Sequence, residues 1–337
     1  MGDMLKGKVA VVTGSGQGIG RSIAIGLAEG GARVVTNNRA QNSQTRALIE
    51  ETQLELLDAR KRETFEKRVE AIGGDAGMTA MIIKERGGEA TPFYGDISRF
   101  NVAEQLIKTA VDTYGTIDIL VNVAGSFGLS RIDKMTEELW DRVNTVKPKG
   151  YFNTIRHAVP YMMEKKWGRI LNCTSKAWLG DVIKHAEYCA ANAGVVGLTK
   201  AVAIELYSYG ITCNAFSPWA RTRASYELDT YNEAVPEEDS PFLRKLPAMP
   251  GGRAMADITP GPEYIAPFVC YLATDAAKNI SGSVFTLGGN TISMYSEPVH
   301  SHNLTKYDSK PWTLEEIAQQ APRALFMRYQ SIAENPM

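Results

Sequence analysis

Tyr188 lies in HAEYCAANAGVVGLTKA, a run of small residues that reads as a helix. A tyrosine there could give and take a proton in catalysis. Its ordinary pKa of about 10 is too high for that work near neutral pH. A cation one helical turn away would lower it. One turn on stands Asn192, which carries no charge. Either the tyrosine has lost its cation, or the cation comes from another segment.

A second chemical signal is TGSGQGIG, Thr13 to Gly20, placed directly after the β-rich run KVAVVTG and opening a helix. Gly14 permits a tight turn, Gly18 lets backbone approach a phosphate, and Gly20 permits close helix–sheet packing. The helix N-terminus then offers N–H groups and positive potential to a pyrophosphate. The pattern predicts dinucleotide binding.

These groups need a scaffold. The apolar runs KVAVVTG, ARVVTNN, ATPFYGD, IDILVNVAG, GRILNCTS, ITCNAFSP and SVFTLGG read as strands. Helical segments separate them, among them Val102 to Tyr114, Glu137 to Lys165, Glu187 to Tyr209 and Pro262 to Ala273. Apolar strands alternating with helices predict an α/β fold, a doubly wound parallel sheet covered on both faces. Residues 1–289 form one such domain. Within it, 41–88 is too long for a bare loop and is rich in helix formers with opposite charges at i,i+4, so it is expected to add one or two helices. Residues 290–337 form a C-terminal extension, in which Thr313 caps a last helix interrupted near Pro322.

Composition narrows the function. Hydrophobic residues make up 44% and charged residues 22%, as in ordinary globular proteins. A formal net charge of -1 points to neither nucleic acid nor an anionic membrane as partner. Cys173, Cys189, Cys213 and Cys270 form no CxxC pair and read as reduced thiols. His300 and His302 lack other ligand types nearby, so no metal site is expected. The start lacks the apolar run of a signal peptide, and no stretch approaches ~18 consecutive apolar residues. A cytoplasmic protein is expected.

Several segments in order resemble the short-chain dehydrogenase/reductase family. They are TGSGQGIG with Ile19, YGDIS with Asp96 and Ile97, NVAG with Asn122, Ala124 and Gly125, LNCTSKAWLG, YCAANAGVVGLTKA, and NAFSPWARTR with Pro218 and Thr222. Val123 and Trp219 depart from the family's usual residues. The resemblance implies a Rossmann fold with a seven-stranded sheet, assembly as a homodimer or homotetramer, and reversible hydride transfer between a nicotinamide and a carbonyl or alcohol carbon. It implies that Ser175 orients the substrate oxygen and that Tyr188 exchanges the proton and touches the cofactor.

Two members of the family's catalytic tetrad do not carry over. Asn192 stands where a lysine is usual. In WDRVNTVKPKGYF, Lys147 stands where an asparagine is usual. Each position holds the residue type expected at the other. We read this as an exchange: Lys147 supplies the cation from the neighbouring helix and Asn192 completes the relay. Pro148 suits an interruption of the long helix there.

The resemblance also places Asn38 and Arg39 at the end of the second strand, where a carboxylate would select NAD. An amide followed by a cation favours NADP, so the expected cofactor is NAD(P) with NADP preferred. The resemblance also implies a substrate lid over residues 219–262, which contain Tyr226, Tyr231, Phe242, Leu243, Leu246 and Met249, and Trp178 lies beyond Ser175. They suit a bulky apolar or cyclic substrate, and the ARTR and YSEP segments, which resemble hydroxyacyl-CoA dehydrogenase members of the family, imply an acyl-CoA. The expected function is interconversion of a secondary alcohol and a ketone. The alternatives are a regulatory cofactor-binding protein without turnover and an enone reductase.

Overall fold

Short apolar runs become strands here because helices cover both faces of the sheet. Val9–Val12 (β1), Ile119–Asn122 (β4) and Gly168–Cys173 (β5) have every residue buried, the pattern a sandwiched parallel sheet requires. Beside them lie Arg33–Asn38 (β2), Ala90–Tyr94 (β3), Ile211–Trp219 (β6), Val284–Gly288 (β7) and Thr291–Met294 (β8). This computed structural model describes residues 3–41, 55, 57–180, 184–234, 259–297, 303–306 and 311–325.

Among the described residues the sheet order is β3-β2-β1-β4-β5-β6-β7-β8. β1 to β7 run parallel, and β8 returns antiparallel on β7. The expected seven strands are joined by an eighth. Gly289, with φ 52°, turns the chain back into it. All of its residues are exposed, so it lacked the apolar continuity that marked the others.

The helices are Gly18–Glu29 (α1), Ala59–Ile72 (α2), Ala76–Glu85 (α3), Phe100–Tyr114 (α4), Glu137–Asn144 (α5), Gly150–Lys165 (α6), Ala186–Leu206 (α7), Arg223–Ala234 (α8), Ala266–Leu272 (α9) and Leu314–Ala324 (α10). One core layer packs Ile23 and Leu27 of α1 with Val269 and Leu272 of α9. The other packs Leu106 of α4, Ile155 of α6 and Val195 of α7 on the opposite face. Ala186–Tyr209 is apolar and long enough to cross a membrane by composition. Its Val195, Val202, Ala203 and Leu206 instead join the second core layer.

Two local departures from regular helix set up the site. α5 and α6 form one long helix broken by a π turn, Thr145–Lys149, that contains Pro148. Proline has no N–H to give the ladder, and π turns insert one extra residue. The 41–88 region supplies α2 and α3. α3 buries Ala76, Thr79, Ala80 and Ile83, and its Ala76 carbonyl receives the β2 hydroxyl of Thr36 at 2.8 Å. α3 is therefore the crossover that any parallel β2–β3 connection needs. α2 is the added element. It buries only Phe65 and Val69, packed with Leu57, Phe127, Leu129, Tyr226 and Leu228.

The chain divides into two compact units, 1–294 and 295–337, so β8 belongs with the sheet rather than with the extension. In the second unit Thr313 caps α10 through a capping box with Glu316. The helix passes through Pro322 to Ala324 rather than breaking there.

Candidate active site

β1 and β4 are neighbours in the sheet although β2 and β3 come between them in the chain. Parallel sheets bind ligands in the crevice outside such a reversal. Thr13, just past β1, accepts the backbone N–H groups of Val123 at 3.0 Å and Ala124 at 3.2 Å, just past β4. Gly14 follows with φ 63°, and a Cβ there would lie 2.8 Å from the Ala124 Cα. Only glycine fits this approach.

Gly20 lies against the Gly14 carbonyl, so α1 rises directly from the turn. Ile19 packs behind it against the core. Gly18 faces Thr222 across the crevice, where a Cβ would come within 3.5 Å of the threonine methyl. The first turn of α1 carries no acidic residue. Bare backbone beside the positive end of a helix fits a pyrophosphate.

At the adenosine end, β2 closes with Asn38, whose side-chain oxygen is buried without a hydrogen-bond partner among the described residues. Arg39 is exposed. Asp96 accepts the Ser98 N–H at 2.9 Å and holds the turn after β3. Ile97 is buried, and its carbonyl receives the Asn153 amide at 2.9 Å. Asn122 is committed inside the protein: it donates to the Asn172 oxygen at 2.9 Å and accepts from the Thr154 hydroxyl at 2.8 Å. Its side chain ties β4 to β5 and α6 and is not offered to the crevice.

Sequence reading missed two groups here. Arg21 of α1 reaches the carbonyl of Gly16, that of Gly73 at 2.7 Å and the Thr79 hydroxyl at 3.3 Å. It ties the glycine loop to the α2–α3 connection. Asp75, 8% exposed, lies against Gly16, where a Cβ would come within 2.7 Å of the Asp75 Cα. No short-range pattern joins these residues. Only the fold brings them together.

The proposed catalytic residues converge at the carboxyl end of β5. Ser175 follows this strand and accepts the Ala177 N–H at 3.3 Å. Tyr188 sits in the first turn of α7, near enough to Ser175 for that hydroxyl to favour its ionised form. Lys147 projects from the π turn and is 3% exposed. Its stem crosses Gly125, where a Cβ would lie 3.0 Å from the lysine Cε. Its ammonium donates to the Cys173 carbonyl at 2.8 Å and to the Asn192 side-chain oxygen at 2.9 Å. It also lies 5.7 Å from the Tyr151 ring centroid and 5.8 Å from that of Tyr188. Asn192 donates to the Tyr188 carbonyl at 2.7 Å. Pro148 packs 3.4 Å from where a Gly194 Cβ would stand, so a bare position on α7 admits the π turn.

Burial dominates the electrostatics. It pushes Tyr188 up to about 12, with hydrogen bonds from Ser175 and Asn192 acting the other way. It pulls Lys147 below the ordinary lysine value. Lys147 forms no ion pair with a carboxylate among the described residues, so its cation is held by dipoles and ring faces. The ionisable group that acts on it is Cys173, which raises the lysine value against the effect of burial. Glu187, fully buried beside Tyr188, is a further group that sequence reading passed over; it accepts the Gly128 N–H at 3.1 Å and anchors the loop after β4.

The entrance is apolar. Phe127 lies 5.6 Å from the Tyr188 ring, centroid to centroid, and belongs to the α2–α8 cluster that includes Tyr226. Trp178 lies in the short turn Lys176–Leu179 after Ser175. Pro218, in register with Leu287, and Trp219, 52% exposed, end β6. The Tyr231 side chain and Phe242, Leu243, Leu246 and Met249 lie outside the described residues.

A family model described as short chain dehydrogenase matches residues 8–84 and 68–225. The chain belongs to the short-chain dehydrogenase family. This dehydrogenase is 30% identical over 321 residues to a hydroxyacyl-CoA dehydrogenase of Mycobacterium tuberculosis, spanning 93% of this chain and 87% of the relative. It is 31% identical to a 3-oxoacyl-(acyl-carrier-protein) reductase of Staphylococcus epidermidis, over 84% of this chain and 98% of the relative. A crystal structure of a short chain dehydrogenase from Mycobacterium avium superposes with TM-score 0.71 at 28% identity, covering 96% of this chain and 95% of that one. The family is one of NAD(P)-dependent oxidoreductases, and this dehydrogenase shares its fold and nucleotide-binding architecture.

Proposed function

We propose that this dehydrogenase interconverts a secondary alcohol and a ketone on an apolar, bulky substrate such as an acyl-CoA thioester. The observation that carries the reading is the Lys147 ammonium, 2.9 Å from the Asn192 side-chain oxygen and 5.8 Å from the Tyr188 ring centroid, at the end of the strand that leads into Ser175. Ser175 orients the substrate oxygen. Tyr188 gives or takes the proton on that oxygen. Lys147 supplies the cation that favours the phenolate, and Asn192 holds the ammonium in place. NAD(P), when bound, supplies the hydride acceptor or donor. Gly14, Gly18 and Gly20 with the α1 N-terminus would hold its pyrophosphate.

The substrate class draws support from the apolar entrance of Phe127, Trp178 and Tyr226. It draws more from the two relatives named for hydroxyacyl and oxoacyl substrates. Asn38 and Arg39 speak for NADP on charge, and Asp75 speaks against it. We place the protein in the cytoplasm as a homodimer or homotetramer. Exposed Phe152, Ile204 and Tyr207 offer apolar surface for that assembly.

The test is nicotinamide absorbance with a panel of 3-hydroxyacyl-CoA, alicyclic and steroid-like alcohols and their ketones, with Tyr188→Phe as control. Turnover with the alcohol–ketone pairs, lost in the control, supports the reading. Dinucleotide binding without turnover would favour the regulatory alternative. Consumption of an enone without any ketone reduction would favour the C=C reductase.

A further inference from the structure

β2 ends in an amide, so the carboxylate that would read the adenosine ribose is missing from its usual strand. The backbone of another acidic residue lies beside that strand end. The connection from α2 to α3 lays Gly73, Gly74 and Asp75 against the glycine loop. A Cβ on Gly16 would strike both the Asn38 side-chain oxygen and the Asp75 backbone. Asn38, Gly16 and Asp75 therefore meet at one point, at the carboxyl ends of β1 and β2.

Resting on the dinucleotide reading above, we propose that Asp75 is the specificity-determining residue for the adenosine ribose, accepting from its hydroxyls and excluding a 2′-phosphate. The cofactor selected is NAD.

Three observations carry this. Asp75 is 8% exposed, so its charge is poorly screened by water. Its carboxylate caps α3 by accepting the Met78 N–H at 3.0 Å, and it is hydrogen-bonded to the Tyr94 phenol. A carboxylate has about four acceptor sites, so these contacts do not bar a ribose hydroxyl. The cap also occupies the positive end of α3, which would otherwise attract a phosphate. Finally, the buried Asn38 oxygen without a partner faces the same point and is suited to accept from a hydroxyl, not to meet a phosphate oxygen.

The nearby cations do not reverse the balance. Arg21 is turned to the carbonyls of Gly16 and Gly73 and to Thr79, and its charge, which also acts on Asp75, is held by these acceptors within the protein. Arg39 is exposed, where salt screens it.

The test is calorimetric titration of the full-length protein with NAD, NADP, ADP-ribose and 2′-phospho-ADP-ribose, which needs no turnover. The wild-type protein is expected to prefer the nucleotides lacking the 2′-phosphate by roughly tenfold or more. Asp75→Asn keeps a good helix cap and should bring the two classes to within about threefold, mainly by strengthening NADP. Arg39→Ala should leave the preference standing. Equal wild-type affinities, which need no variant to observe, would overturn the proposal while leaving the dehydrogenase reading intact. So would an unchanged ratio in Asp75→Asn. Failure of all four nucleotides to bind would overturn both.

Discussion

The Lys147 ammonium donates to the Asn192 side-chain oxygen at 2.9 Å, and the two residues come from different helices. Asn192 also donates back to the Tyr188 carbonyl at 2.7 Å, so the amide connects the cation to the turn that carries the tyrosine. The π turn at Thr145–Lys149 aims Lys147 at that turn, and Gly125 and Gly194 leave room for its stem and for Pro148. A buried cation without a carboxylate costs stability. Its retention beside a tyrosine is what a phenolate-stabilising device would require.

Lys147→Met should lower kcat by roughly 10²–10⁴-fold, the range for lost acid–base assistance. It removes a positive charge near Tyr188, so the tyrosine should ionise at higher pH. The alkaline limb of the oxidation profile should move up, while nucleotide affinity changes little. An unchanged profile would sink the assignment of Lys147 as the cation. The double variant Lys147→Asn with Asn192→Lys should recover activity that Lys147→Asn alone loses, because it returns the cation to α7.

Ser175→Ala should cut kcat by roughly 10²–10³-fold with little change in nucleotide affinity. The serine hydroxyl also helps hold the Tyr188 phenol, and its removal lets burial act with less opposition. The apparent pKa of Tyr188 should therefore rise in this variant as well. A spectrophotometric titration of tyrosine ionisation, compared with Tyr188→Phe, reads that shift.

Much of this was legible in the sequence because the information was local. Seven strands showed as apolar runs, and Gly14, Gly18 and Gly20 sat between a strand and a helix, so their backbone role followed. Lys147 and Asn192 stood out as two residue types each expected at the other's position, and their side chains meet at 2.9 Å. What stayed hidden depended on contacts between distant segments. β8 is exposed and short. Asn122 looked like a ligand-facing residue until the fold put Asn172 and Thr154 around it. Asp75 and Asn38 are separated by all of α2, and no periodicity could pair them. The 41–88 stretch read as one insertion because both helices are rich in helix formers, yet only α2 is surplus to the sheet.

Phe65→Ala should separate that surplus helix from the entrance. Phe65 is 4% exposed and packs in the cluster that contains Phe127 and Tyr226. The truncation should cost about 1–3 kcal/mol locally, less than in a central core because the cluster is small. Phe127, freed on one side, faces the Tyr188 ring, so kcat/KM for a bulky ketone should fall while NAD affinity holds. A variant with unaltered kcat/KM across substrates of different bulk would show that α2 takes no part in forming the pocket.

Stability offers an independent check on Lys147. Folding buries this amine and lowers its pKa from the ordinary 10.5. Between the lowered folded value and 10.5 the unfolded chain binds more protons than the folded one, so this group's contribution makes stability rise with pH across that window. Below the folded value the full cost of burying the charge is present. Lys147→Met removes that cost and should raise the melting temperature near neutral pH, by an amount equivalent to about 1–3 kcal/mol. The advantage of the variant should shrink as pH approaches 10, where the wild-type amine sheds its proton on folding. Thermal melts of both proteins at pH 7 and near pH 10 measure the two differences. A gap that stays constant with pH would mean that Lys147 is not a buried cation in the folded protein.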